Sequence, residues 1–100
     1  MGRAKSKREK DFISSIVAIG CIVCRNCGEN DVPAEFHHIT SGMNTRDHER
    51  GIPLCPLHHR LGGYGVAVHA SKKAFALTCG SEADLYEQVL LIIGLSSQRR

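Results

Sequence analysis

Tryptophan is absent, and two Tyr and three Phe are the only aromatic residues among 100. A core built from this set has few large fillers. A chain of this length buries only about two-thirds of its unfolded surface, so aliphatic packing alone leaves it marginal. A further staple is expected. Long apolar runs are missing too: the longest, residues 16–24, has nine residues and includes a Gly, and residues 89–95 form one of seven. That falls far short of the roughly 20 needed for a helix to span a bilayer. The N-terminal segment MGRAKSKREKDF has no apolar run of its own after its charges, so no secretory signal is expected and the setting is read as cytoplasmic and reducing. A second core would not fit in this length. The 42% hydrophobic and 23% charged content reads as globular rather than disordered.

Against these absences stand five Cys and six His. In a reducing compartment clustered cysteines read as metal ligands before disulfides, and the odd count points the same way. Charge is also uneven. Residues 1–10 carry Arg3, Lys5, Lys7, Arg8 and Lys10 against Glu9, a local charge of +4 within a chain total of +3. A short basic arm on a near-neutral body suits a polyanion such as nucleic acid, although a solvated terminus explains it equally well.

Four segments are expected. A first helix begins near Ser6, where Ser6 and Glu9 have capping-box spacing, continues through Phe12, Ile13, Ile16 and Ile19, and stops at Gly20. Residues 21–33 are cysteine-rich and loop-like. Residues 34–61 read as a strand over 35–39, a polar loop over 40–50, a short strand over 52–54 and a helix in which Pro56 suits the first position. A glycine-rich turn, Gly62-Gly63-Tyr64-Gly65, leads to a strand-like stretch over 66–68. A final helix follows Ser81 with Leu85, Val89 and Ile92 or Ile93 on one face.

Two Cys-x-x-ligand pairs, Cys21/Cys24 and Cys55/His58, are separated by a long intervening segment. Two donors three residues apart converge on one tetrahedral ion when the chain turns tightly between them, and Zn²⁺ takes four such S or N ligands. Cys24-Arg-Asn-Cys27 has the same spacing, so three cysteines compete for two positions. Free buried thiols are the plainer alternative. Cys79 reads as a small buried residue. The histidines come in two pairs, His37-His38 at a strand end and His58-His59 in a helix. Adjacent helical residues diverge by about 100°, so His58 and His59 serve different sites. With His58 beside the cysteines, His59 points toward the preceding hairpin, where His37 and His38 can meet it. In a regular strand His37 and His38 face opposite sides, so both reach one site only where the strand bends or ends.

The runs EFHHI and IPLCPLHHR, the loop between them and the preceding GCIVC resemble an HNH endonuclease of the ββα-metal type. More narrowly, SKREKDF, GCIVC, HHI, PLCPLHHR and VAVH followed by KKAF resemble the phage recombination enhancement function (Ref) family of RecA-dependent nucleases. The resemblance implies a small α+β fold. Its ββα-metal (treble-clef-like) motif would be stapled by a structural zinc and flanked by N- and C-terminal helices. It implies one nuclease domain over 6–95, so the chain divides into the basic arm at 1–10 running into the first helix, that domain, and a polar C-terminal tail at 96–100. Cys21, Cys24, Cys55 and His58 would hold the Zn²⁺. His38 would be the general base, and His37 and His59 would hold Mg²⁺ or another divalent cation. A third ligand found in some relatives falls here on Gly63, and His69 is the best substitute. The Asn that orients the base in HNH enzymes is replaced by Arg50, while Asn44 lies at a different offset.

These implications describe a metal-dependent DNA endonuclease of a phage or prophage, working in the bacterial cytoplasm on DNA engaged by a RecA-type recombinase filament. Lys5, Lys7, Arg8, Lys10, Arg50 and Arg60 are the candidate DNA contacts, with Arg46 near the hairpin. Nothing in the sequence reads bases, so binding is expected to be phosphate-driven and sensitive to salt. Lys72 and Lys73 read as a polar face. The competing class is a non-catalytic zinc-binding DNA-binding module, which has no use for His37, His38 and His59.

Overall fold

Phe12, Ile16 and Ile19 form an apolar stripe at helical spacing, and α1 (Lys7–Ala18) carries it toward the core, where Ile16 is fully buried. The computed structural model describes residues 7–39 and 50–98; Lys5, the Ser6 cap, Asn44 and Arg46 lie outside the described residues. The chain leaves α1 through Gly20, whose φ of +84° is left-handed. A Cβ there would also press on the Val32 carbonyl at 3.1 Å, so glycine suits the position.

Residues 21–33 are not all loop, because they contain a short helix, α2 (Ile22–Asn26). Its cap is a sulfur: Cys21 Sγ accepts from the Cys24 N–H at 3.5 Å. Cysteine is not among the usual cap residues, which hides this start from a sequence reading. Burial of Ile22 and Val23 holds five residues in a helix that would not persist alone.

Next, β1 (Glu35–His38) and β2 (Gly51–Leu54) pair antiparallel, with Glu35 opposite Leu54 and His37 opposite Ile52. All four residues of β2 are buried. Position 51 must be glycine, since a Cβ would collide with the Phe36 ring and the His37 carbonyl.

After Pro56 the chain makes one turn of π-helix, Leu57–Leu61, in which the Gly62 N–H donates to the Leu57 carbonyl at 2.8 Å. The carbonyls of His58 and His59 accept from beyond this turn. The Val68 N–H reaches His58 at 2.8 Å and the His69 N–H reaches His59 at 3.2 Å. Residues 66–68 are therefore not a strand. The Val66 and Ala67 amides turn back onto the Gly63 carbonyl, at 3.0 and 2.8 Å.

Two helices complete the fold. In α3 (Lys72–Cys79), which the sequence reading missed, Ser71 Oγ caps the Ala74 N–H at 3.2 Å and Phe75 is fully buried. In α4 (Glu82–Gln98), Ser81 Oγ accepts from the Asp84 N–H at 3.1 Å, and Leu85 and Val89 enter the core. α4 extends through residues 96–98. Asn26 and Gln88 exchange amide hydrogen bonds that join α2 to α4. The result is a small α+β fold, a two-stranded sheet with helices around it. Ile16, Ile22, Ile52, Leu54, Val68, Phe75 and Val89 are central to its core. Among the described residues no helix is long and apolar enough to cross a membrane.

Candidate functional site

Among the described residues the metal-ligating side chains gather in two clusters, and the π-turn contributes one histidine to each. The first joins Cys21 and Cys24 at the start of α2 to Cys55 and His58 at the end of β2 and the start of the π-turn. His58 Nδ1 lies 3.6, 3.7 and 3.3 Å from the sulfurs of Cys21, Cys24 and Cys55, and the Cys24 and Cys55 sulfurs are 3.9 Å apart. A tetrahedral ion with bonds of about 2.3 Å to S and 2.0 Å to N has S···S edges of about 3.8 Å and S···N edges of about 3.5 Å. The four separations above are close to those edges, and all four ligand atoms lie within 4.8 Å of one another. Burial and the neighbouring Cys21 and Cys55 sulfurs push the Cys24 thiol up to about 12. Such crowded thiols ionise readily only when a cation supplies the missing charge. Burial also lowers the His58 pKa, favouring the neutral ring that a metal binds. This donor set fits a metal such as zinc. Cys27 is exposed and outside the cluster, and Cys79 is half-buried at the end of α3.

The second cluster is His37 from β1, His59 from the π-turn and His69, whose ligand nitrogens all lie within 4.8 Å of one another. His69 is held beside His59 by its backbone bond to the π-turn, and their Nε2 atoms are 3.1 Å apart. On its other side His59 Nδ1 lies 2.7 Å from Glu35 Oε1. Arg60 grips Glu35 through two bonds, Nε to Oε1 at 3.1 Å and Nη2 to Oε2 at 2.7 Å. Its guanidinium, then the His59 ring, lowers the Glu35 pKa to about 2. An ionised carboxylate only accepts, so His59 donates from Nδ1 and turns its Nε2 to the cluster. Burial, followed by the nearby His59 and His37, lowers the His69 pKa and favours its neutral form. With these nitrogens close together, His37, His59 and His69 could hold a metal ion.

An open cleft of 490 Å³ lies in front of the triad, lined by Phe36, His37, His38, His59, His69 and Lys72. His37 is buried and His38 exposed, the opposite facing expected of strand neighbours. β1 ends at His38, and the cleft still includes both rings. The His38 ring stands edge-on to Phe36, centroids 4.8 Å apart.

The other cations are spread out. Lys7, Arg8 and Lys10 are exposed on α1, with Lys7 paired to Asp11 at 3.0 Å. Arg50 lies 5.8 Å from the centre of the Tyr86 ring, and Arg60 is engaged with Glu35.

The sequence reading missed Glu35, Glu82 and the place of Lys72 in the cleft wall. Glu35 had a signal, since it is two residues before His37 and shares its face of the strand. Glu82, whose Oε2 lies 2.5 Å from His37 Nε2, had none, being 45 residues away in α4.

A search of curated proteins found no match. The family model described as recombination enhancement, RecA-dependent nuclease, matches residues 5–93. That span takes in both clusters and the cleft, and the chain belongs to this family of recombination enhancement, RecA-dependent nucleases.

Proposed function

We propose that the protein is a metal-dependent DNA endonuclease of the HNH type, acting in phage or prophage recombination on DNA engaged by a RecA-type filament. In this reading β1, β2 and the π-turn are the ββα-metal unit, and the Cys21/Cys24/Cys55/His58 cluster holds a structural Zn²⁺. The observation that carries it is the convergence of three imidazoles on an open cleft that also contains His38. A zinc-binding module alone has no need of that second set. The family description supports the recombination and RecA aspects.

A divalent ion bound by His37, His59 and His69 would polarise the scissile phosphate and stabilise the leaving oxygen. His38 accepts the proton of the attacking water, as an imidazole titrating near neutrality is suited to do. Phe36 supports the His38 ring edge-on. Arg60 holds Glu35 on His59 and acts on the site through that contact. Lys72 at the cleft wall, Arg50, and the arm residues Lys5, Lys7, Arg8 and Lys10 meet DNA phosphates.

Cleavage of DNA bearing a RecA-type filament tests this. His38→Ala is expected to lose about 10²–10⁴-fold in cleavage rate, the usual cost of removing a general base, while keeping its fold and DNA affinity. Excess divalent metal is expected not to restore it. Cleavage by His38→Ala at the wild-type rate would reject the base assignment.

A further inference from the structure

Glu82 is a buried carboxylate, 8% exposed, in the first turn of α4, outside both ligand clusters and outside the β1–β2–π-turn unit. Its Oε2 lies 2.5 Å from Nε2 of His37, itself 5% exposed, and its Oε1 lies 4.0 Å from Lys72 Nζ. A buried carboxylate beside an imidazole is a poor means of stabilising a small core, because taking a carboxylate out of water is costly. Apolar side chains of similar size would serve packing better. What the pair does instead is chemical. A carboxylate accepts a hydrogen bond from the Nε2–H, which leaves the lone pair of the His37 ring on Nδ1. A carboxylate behind a metal-binding histidine fixes ring orientation and tautomer and raises basicity. The N-terminus of α4 favours the negative charge in that position.

We infer that Glu82 is a positioning residue for the triad. It holds His37 as the Nε2–H tautomer and so presents Nδ1, while His59 presents Nε2. The inference rests on the reading of His37, His59 and His69 as a divalent-cation site. It adds to that site a residue from α4, so the last helix belongs to the functional centre as well as to the core.

The test uses zinc-loaded protein titrated with Mn²⁺, together with long-range ¹H–¹⁵N NMR of the histidine rings before Mn²⁺ is added. Wild type is expected to show His37 as the Nε2–H tautomer. Glu82→Ala is expected to weaken Mn²⁺ binding by about 10–100-fold and to let the His37 tautomers mix. Glu82→Gln keeps an acceptor of the same shape. It is expected to hold the tautomer and the thermal midpoint while losing affinity to a smaller degree, a split that a purely structural role would not give. If wild type shows the Nδ1–H tautomer at His37, the inference is wrong. If wild type binds Mn²⁺, His59→Ala does not, and both Glu82 variants bind like wild type, the inference alone fails. If zinc-loaded wild type binds no Mn²⁺, the cation-site reading fails and this inference with it.

Discussion

The Cys21/Cys24/Cys55/His58 cluster and the His37/His59/His69 cluster share one turn of helix, where His58 serves the first and His59 the second. In the first, three buried sulfurs surround a half-buried imidazole at 3.3–3.7 Å, spacings that suit a closed tetrahedral site of four protein donors. In the second, burial grades from His37 through His59 to the exposed His69, carboxylates stand behind the rings, and a cleft opens in front. Donor number, donor softness and access separate a stapling site from a reactive one. Mere abundance of Cys and His does not.

The comparison breaks most visibly at Cys55. Cys55→Ser is expected to abolish zinc retention and the cooperative thermal transition. Structural zinc contributes about 10–16 kcal/mol apparent, against a total stability of roughly 5–15 kcal/mol for a domain. Zinc content and a thermal melt measure it, and a serine variant that melts cooperatively would make the cluster an ordinary thiol core.

His69→Ala sharpens the other side. Removing this exposed imidazole is expected to leave the melt and zinc content unchanged while lowering affinity for added divalent metal. The loss should reach at least about 10-fold, the lower end of what an outer partner costs, and excess metal should then recover cleavage. Lost stability with unchanged metal affinity would assign His69 to structure.

The smallest expected effect is at Cys27. The thiol is exposed and outside the cluster, so Cys27→Ser is expected to shift stability by no more than about 0.5 kcal/mol and to retain zinc. Zinc loss in this variant would mean that the knuckle uses Cys24 and Cys27.

Much of this contrast is legible in the sequence, for physical reasons. The stripe of Phe12, Ile16 and Ile19 announces α1, and Ser81 followed by Leu85 and Val89 announces α4, because caps and periodicity are local signals. The divergence of adjacent helical residues separates His58 from His59 before any coordinates. Signals fail where the chain uses an unusual device. A sulfur caps α2 in place of a hydroxyl or carboxylate. The segment after the π-turn spends its amides on the His58 and Gly63 carbonyls, so an apolar run that looks like a strand becomes a turn and delivers His69. Glu82 meets His37 only through tertiary packing, which no local pattern encodes.

The central claim is that the two clusters are two different metal sites in one small domain. Anomalous scattering from crystals grown with zinc and then soaked in Mn²⁺, recorded on both sides of each metal's absorption edge, tests it most directly. The account predicts a zinc peak among Cys21, Cys24, Cys55 and His58, and a separate manganese peak among His37, His59 and His69. A zinc peak at the first cluster with no ion at the second under saturating Mn²⁺ would contradict it, as would manganese displacing zinc among the cysteines.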